Sequence, residues 1–492
     1  MSKVRYQEDN VHLRLLEQDS LVSEPSWSSH AGFRIRVPPS RTSFFTDTIR
    51  HKRRRRIWLG VIVLVSFLAI LVALFVSRKP IEARLRSAWN PSWQDASSHF
   101  VSQVQNISLY IEPVQTPRFR DNLRNDTKYV TASPIGGFSN QVMAQINLLY
   151  IAILTGRVPV IADFVPGHMH GNPGFLAVSE VYDLPRLADA LRMPIIEWSD
   201  IKDRSSHELE DIGCWSLQTI LFGPDYGTKG HFATEHEFSL DISLTPVPDS
   251  RFIPGTNHLN IMAVASLGWP DARADALVHV ETISSPINKH TTPPDEHLLC
   301  FDELYYAASV KPYEWFEEWV PAWTQVGRYM HWTPPMEALA RKYILRAFGL
   351  NDGDPFPSYI SVHIRHTDFV QMCKDDDCFP PLSTYGAKVD EIKADLLELH
   401  GVNIDKVLVA SDEEDPVWWQ AVQDFGWYRI DWVAERTEEM YSEWHPIVLD
   451  SVALSLGKGI VGTTRSTLSL LAAKRVQDWE GGLVREVHLE TT

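Results

Sequence analysis

The stretch "SVHIRHTDF" (361–369) ends an oily alternation with His363, Arg365, His366 and Asp368 inside six positions. An arginine there can give a phosphate a forked, permanently charged contact. His363, two residues earlier, projects from the same face of an extended chain, and Asp368 could steady the guanidinium or accept from loop amides. A surface ion cluster after a strand is the competing reading. "GIVGTTRSTLSLLAAKR" (459–475) runs through a Gly/Thr/Ser turn into helical spacing. A helix start of this kind attracts anions, and Ser466 and Thr467 can both cap it and donate hydroxyls. It has neither a Walker lysine pattern nor a G-x-G-x-x-G, and a cap that only caps would look the same. In "SPIGGFSNQVMAQ" (133–145), Gly136 and Gly137 allow close backbone approach to a ligand, and Asn140 offers a donor and an acceptor. An ordinary turn explains that pair equally well. Asp412 closes the apolar run in "VLVASDEEDP", where it could read a ribose hydroxyl or a base edge, or cap the helix near Pro416.

These residues need elements to hold them. The spacing of Val142, Ile146, Leu149 and Ile153 predicts a helix over 140–156, stopped by Gly156, followed by a short strand at 158–163. Further on, strands are expected in "YISVHIR", "KVLVASD" (406–412), "WYRID" and "GIVGT". They alternate with helices in "MEALARKYILRAFG", "DPVWWQAVQDFG", "IVLDSVALSLGKG" and "STLSLLAAKRV". Such alternation argues for parallel α/β sheets with covered faces, whose ligands sit at the carboxyl ends of the strands. Residues 205–335, rich in Pro, Trp and His, show weak periodicity and receive no assignment. Pro334-Pro335 marks a hinge between two α/β units.

The 492 residues suit two or three compact units, and 44% hydrophobic with 22% charged residues is a globular composition. Ile57 to Ser77 carry no charge and are long enough to span a bilayer, which predicts a transmembrane helix. The Arg50–Arg56 cluster outweighs Arg78 and Lys79, which sets the N-terminus in the cytosol and the bulk of the chain in a lumen or outside the cell. The expected layout is therefore a cytosolic tail (1–56), a membrane helix (57–77), a stalk (78–127) and two folded units, 128–335 and 336–492. Sequons at Asn106 and Asn125 fit a luminal stalk as glycosylation sites. Residues 1–79 hold 14 Lys+Arg against 6 Asp+Glu, and the remainder 32 against 57. So acidic a body is a poor general nucleic-acid binder, and any phosphorylated ligand must be met by a few local cations. Of the four cysteines, Cys373 and Cys378 flank "KDDD" and could close a disulfide loop, whereas a lone C-x4-C argues against zinc. The pairing of Cys214 and Cys300 is left open.

The order GGFSNQ, HIRHTDF, a strand ending in SDE and a late G-x-T-x-S-x-x-S turn resembles the GDP-fucose-dependent O-fucosyltransferases and their α1,6 relatives, above all divergent fungal members, over residues of about 130–490. The resemblance implies a GT-B architecture, two Rossmann-like domains across a cleft, with the acceptor on the amino-terminal side and the GDP-sugar on the carboxy-terminal side. It also implies inverting transfer of fucose to a protein or glycan with no metal or other cofactor, and residence as a single-pass type II protein of the Golgi or endoplasmic reticulum with its catalytic part luminal. Carried over by residue, Arg365 is the β-phosphate contact and a catalytic group, and His363 lies near the nucleotide. Asp412 is on the guanosine side, and Ser466 and Thr467 are around the diphosphate. Gly136, Gly137 and Asn140 line the sugar side, Asn140 counting as catalytic. His366 stands where many relatives have another residue, and no acid inside GGFSNQ offers a base. Another nucleotide sugar on the same fold, or a non-catalytic membrane-anchored carbohydrate-binding protein, are the rival functions.

Overall fold

The computed structural model describes residues 106–167, 169, 173–223, 237–372 and 379–489. The anticipated tail and membrane span (1–77), most of the stalk, and Cys373 and Cys378 lie outside the described residues. Among the described residues no helix is long and apolar enough to cross a membrane.

The molecule is mixed α/β, built on two parallel sheets. The first contains β1 (Tyr129–Ala132), β2 (Val158–Ile161), β3 (Ile196–Glu197), β4 (Glu210–Ser216), β5 (Leu240–Pro246) and β6 (Leu298–Phe301), in the spatial order β3-β2-β1-β6-β4-β5. The second contains β7 (Tyr359–Ile364), β8 (Lys406–Ser411), β9 (Tyr428–Arg429), β10 (Gly459–Thr463) and β11 (Leu483–Val487), in the order β9-β8-β7-β10-β11. In the second sheet the chain steps outward from β7 to β9, then returns to lay β10 and β11 on the other side of β7. The connections from β7 and β10 therefore leave in opposite directions, opening a crevice beyond their carboxyl ends where ligands of doubly wound sheets bind.

The helices that bear on that crevice are α1 (Phe138–Thr155), α2 (Pro334–Ala347), α3 (Leu382–His400), α4 (Pro416–Asp424), α5 (His445–Ser455) and α6 (Thr467–Glu480). Each has local reasons to start or stop where it does. Gly156 closes α1 and Gly481 closes α6 in left-handed conformations, with φ +64° and +60°. The Thr333 side chain caps α2 by accepting from the Met336 amide, with Pro334 and Pro335 inside the first turn. Both prolines stand in the first turn of a helix, where a missing amide hydrogen costs nothing. All six residues of β7 are buried, as expected for a central strand covered on both faces.

Two regions depart from the sequence reading. Residues 205–335 contain β4, β5 and β6, whose short runs are interrupted by loops that hide their period. The end of the anticipated stalk is folded: Ile111 and Phe119 are buried in a core cluster with Trp198 and Leu240 beneath the first sheet. Cys214 of β4 and Cys300 of β6 form a disulfide between neighbouring strands.

The two lobes share one apolar core, in which Val130, Ile146 and Phe301 of the first cluster with Tyr343, Leu408, Val448 and Leu471 of the second. Helix α6 runs along the join. The Arg475 guanidinium donates to the Tyr182 hydroxyl at 2.8 Å and lies 4.2 Å from the Trp332 ring centre. On the same helix, Asp478 accepts from the Trp323 indole at 2.7 Å, and the Trp479 indole donates to the Arg328 carbonyl at 2.8 Å.

Candidate functional site

The β7 strand brings His363 to the crevice between two small neighbours, Ala410 on β8 and Gly462 on β10. Its ring is buried, and Nδ1 lies 2.7 Å from the Ser469 hydroxyl and 3.4 Å from that of Ser466. The Ser469 oxygen also accepts from the Thr463 amide at 3.0 Å. Gly462 permits this approach of α6 to β10, since a Cβ there would sit 2.8 Å from that of Ser469. Burial, then the nearby Arg365 charge, pushes the His363 imidazole down to about 4, against the pull of Asp412. The ring is therefore neutral at physiological pH and serves as a hydrogen-bonding spacer between β7 and the start of α6.

Arg365 follows directly. Its amide donates to the Thr463 hydroxyl at 3.0 Å, and that hydroxyl lies 3.1 Å from the His363 carbonyl and 2.9 Å from the Tyr385 hydroxyl, so one side chain stitches the two strands across the crevice. The Arg365 guanidinium pairs with Asp412 at 3.0 Å and remains 27% exposed, so its charge faces solvent from a fixed mount. Asp412 also accepts from the His366 amide at 2.7 Å and from the Thr367 hydroxyl. Burial would raise this carboxyl, but Arg365, the Thr367 hydroxyl and the His366 amide outweigh it and hold it below the usual range. Asp412 is thus an anionic brace for the arginine loop. The side chain of Asp368, which the sequence offered as a partner for the arginine, lies outside the described residues. His366 turns away to pair with Glu413 at 2.7 Å and to pack against Phe379 and Trp418.

The turn between β10 and α6 supplies the opposite wall. Ser466 is the N-cap of α6, its side chain accepting from the Ser469 amide. The preceding Arg465 is exposed and held at φ +66°, a left-handed conformation that costs a non-glycine residue about 1 kcal/mol or more. A second cation therefore sits in the turn just before the N-cap of α6.

The first lobe reaches this wall through α1. Gly136, at φ +73°, turns the chain from β1 into the helix, and its carbonyl accepts from the Gln141 side-chain amide at 2.7 Å. Gln141 Nε2 also donates to Val165 at 2.7 Å, which ties the glycine turn to the loop after β2. Asn140, in the first turn of α1, accepts at Oδ1 from the Thr467 hydroxyl at 2.7 Å. The structure thus gathers His363, Arg365, Asp412, Ser466, Thr467 and Asn140 into one connected constellation with Gly136 and Gly137 behind it. Asn106 and Asn125 are exposed.

Sequence reasoning gave no role to Thr463, Ser469 or Arg465, although all lie within the turn it singled out. It also passed over "LLCFDE", where β6 ends in two acids just as β7 ends in charge. Asp302 is spent on the Ser216 hydroxyl and the Leu217 and Gln218 amides, and burial lifts it to about 6. Glu303 accepts from the Tyr305 amide at 2.9 Å, its Oε1 has no hydrogen-bond partner among the described residues, and burial with the Asp302 charge raises it well above the usual range. Among the described residues no group of three or more His, Cys, Asp or Glu side chains is arranged to hold a metal ion.

No protein-family model matches the sequence, and no curated protein matches it significantly. Solved structures with a similar path include POFUT1 in complex with GDP-fucose, at 14% identity and a TM-score of 0.46 over 75% of this chain and 99% of that one. A third crystal form of POFUT1, in complex with GDP, gives 16% identity and a TM-score of 0.47 over 75% and 100%. The fucosyltransferase NodZ from Bradyrhizobium gives 15% identity and a TM-score of 0.35 over 70% and 92%.

Proposed function

We propose that the chain is a glycosyltransferase of GT-B type that moves fucose from GDP-fucose to a protein or glycan acceptor, with inversion at C1 and without a metal or other cofactor. The observation that carries this reading is the meeting, at the crevice between β7 and β10, of a braced Arg365 with the capped start of α6, which Arg465 precedes in the chain, and with Asn140 joined to that helix start from the other lobe. Fixed positive groups at a doubly wound crevice suit a nucleoside diphosphate, and the motif order supplies fucose as the sugar.

In this reading the acceptor oxygen bonds to C1 of the sugar, the C1–O bond to the diphosphate breaks, and the acceptor proton is released. The electron pair goes to departing GDP. Arg365, Arg465 and the α6 amides stabilise that growing charge more than they stabilise the bound donor, which is what lowers a barrier. Placement as a type II protein of the Golgi or endoplasmic reticulum, anchored by 57–77 and glycosylated at Asn106 and Asn125, belongs to the same proposal.

The test offers the full chain GDP-fucose, GDP-mannose and UDP-sugars with a chelator present and measures nucleotide release and thermal stabilisation. Release from GDP-fucose that is indifferent to the chelator is expected. Stabilisation without turnover would favour a carbohydrate-binding protein on a transferase fold, and preference for another donor would replace fucose.

A further inference from the structure

One arginine of the first lobe serves two acids. Arg204 Nη2 pairs with the Asp163 carboxyl, just beyond β2, and its Nη1 lies 3.2 Å from Oε1 of Glu237, just before β5. The arginine side chain is 44% exposed, whereas those of Asp163 and Glu237 are only 1% and 8% exposed. Both acids thus hang on neighbouring nitrogens of one guanidinium, and their side chains are in hydrogen-bond contact with each other. Asp163 Oδ1 is buried and accepts from no amide, guanidinium or hydroxyl among the described residues. Two more carboxyls bear on the pair, Glu197 at the end of β3 and Asp200 in the short helix Trp198–Ile201. Burial, and among the charges Asp163, raises each of them.

Charge decides what this arrangement is. Fully ionised, the pair would set two buried negative charges against one half-screened cation, with Glu197 and Asp200 adding to the excess. Carboxyls in contact avoid this by keeping a proton between them. Burial, then the Asp163 charge, lifts Glu237 to about 8 against the pull of Arg204, and burial raises Asp163 too. The loop that carries Asp163 is anchored on its other flank by α1. The Ala162 carbonyl accepts from the Gln145 side chain at 3.0 Å, and the Val165 amide donates to Gln141 Oε1 at 2.9 Å. A Cβ on Gly167 would stand 2.1 Å from the Gly136 carbonyl, so the loop presses on the glycine turn that opens the helix of Asn140.

We propose that Asp163 and Glu237 share one proton beneath Arg204 and form a pH-sensitive latch on the loop after β2, closed while the proton is held and weakened when it leaves on the alkaline side. A plain salt bridge tightens as its acid ionises; this one has an acid too many and loosens. Unfolded carboxyls lose their protons at about 4, whereas the folded pair keeps one until about 8. The folded state therefore holds an extra proton between these values, and the stability it brings, whole below about 4, is lost as pH rises towards 8. The experiment follows urea unfolding of the full chain from about pH 5 to about pH 9 for the parent, Glu237→Gln and Arg204→Gln, with hydrogen-exchange protection read at the Val165 amide. The glutamine amide keeps an N–H donor where the proton was. The unfolding constant of the parent should therefore rise relative to that of E237Q by about tenfold per pH unit across the window, and Val165 protection should fall at alkaline pH in the parent but not in E237Q. The penalty of R204Q should grow over the same range, because the cation is missed most once both acids are charged. Arg204 is half exposed, so this variant decides the matter if E237Q fails to fold. A parent-to-E237Q ratio that stays constant with pH, an R204Q penalty equal at both ends, or Val165 protection that falls alike in parent and E237Q would overturn the proposal and leave Glu237 an ordinary partner of Arg204.

Discussion

The Thr467 hydroxyl donates to Asn140 Oδ1 at 2.7 Å, joining two helix starts that are 327 residues apart in the chain. Each helix follows an inner strand of its own sheet, so the bond ties the two lobes together. A cycle of Thr467→Val, Asn140→Ala and the double variant should show a coupling of about 0.5–1.5 kcal/mol in denaturant unfolding. Additive effects would mean that the contact holds nothing.

Arg365→Ala should lower GDP release by about 10²–10³, the scale of losing one preorganised donor to a developing anion. Arg365→Lys should recover little of it, because a point charge cannot reproduce the fork aimed past Asp412. Circular dichroism checks that the fold survives, and near-normal turnover by the alanine variant removes the assignment.

Replacing Arg465 by glycine separates charge from backbone. The left-handed turn suits glycine, so unfolding free energy should stay within about 1 kcal/mol of the parent. GDP binding should weaken about tenfold or more, since hydrogen bonds to charged groups are worth roughly 1.5–3 kcal/mol. Unchanged GDP affinity would make Arg465 a strained turn residue and nothing more.

His363 gives the fold a pH signature. The unfolded ring takes up a proton below about 6.5, whereas the buried ring resists until about 4. The unfolded state therefore binds the extra proton between these values, and stability from this group, present above 6.5, is lost as pH falls towards 4. Urea midpoints at pH 7 and pH 4.5 should differ less in His363→Gln than in the parent, by an amount corresponding to about 2–3 kcal/mol. Parallel pH profiles would refute the assignment.

The Cys214–Cys300 bridge spans 86 residues. Its removal by paired serine substitutions should cost about 2–5 kcal/mol, read from the denaturant midpoint. A smaller loss would mean that β4 and β6 stay in register without it.

The second lobe was largely legible in the sequence because its strands are unbroken apolar runs with charge or hydroxyls at one end, as in "YISVHIR" and "GIVGTT". The site residues lie at those ends. Hydrogen-bond direction was not legible: nothing in "SDEEDP" tells whether Asp412 faces a ribose or an arginine 47 positions earlier, since this depends on how β7 and β8 align. The first lobe was harder to read. The strand β4, "EDIGCWS", mixes acids, glycine and tryptophan, and it is buried by long-range pairing and a disulfide that no local period encodes.

Helix α6 is made only after the whole first lobe, yet its Arg475 fills the space between Tyr182 and Trp332. Until synthesis passes residue 480, the first lobe must wait on the ribosome with those rings in water. Such a chain has no safe stopping point: a nonsense codon anywhere before α6 should yield a sticky fragment for quality control to clear, and no half-protein with a closed core.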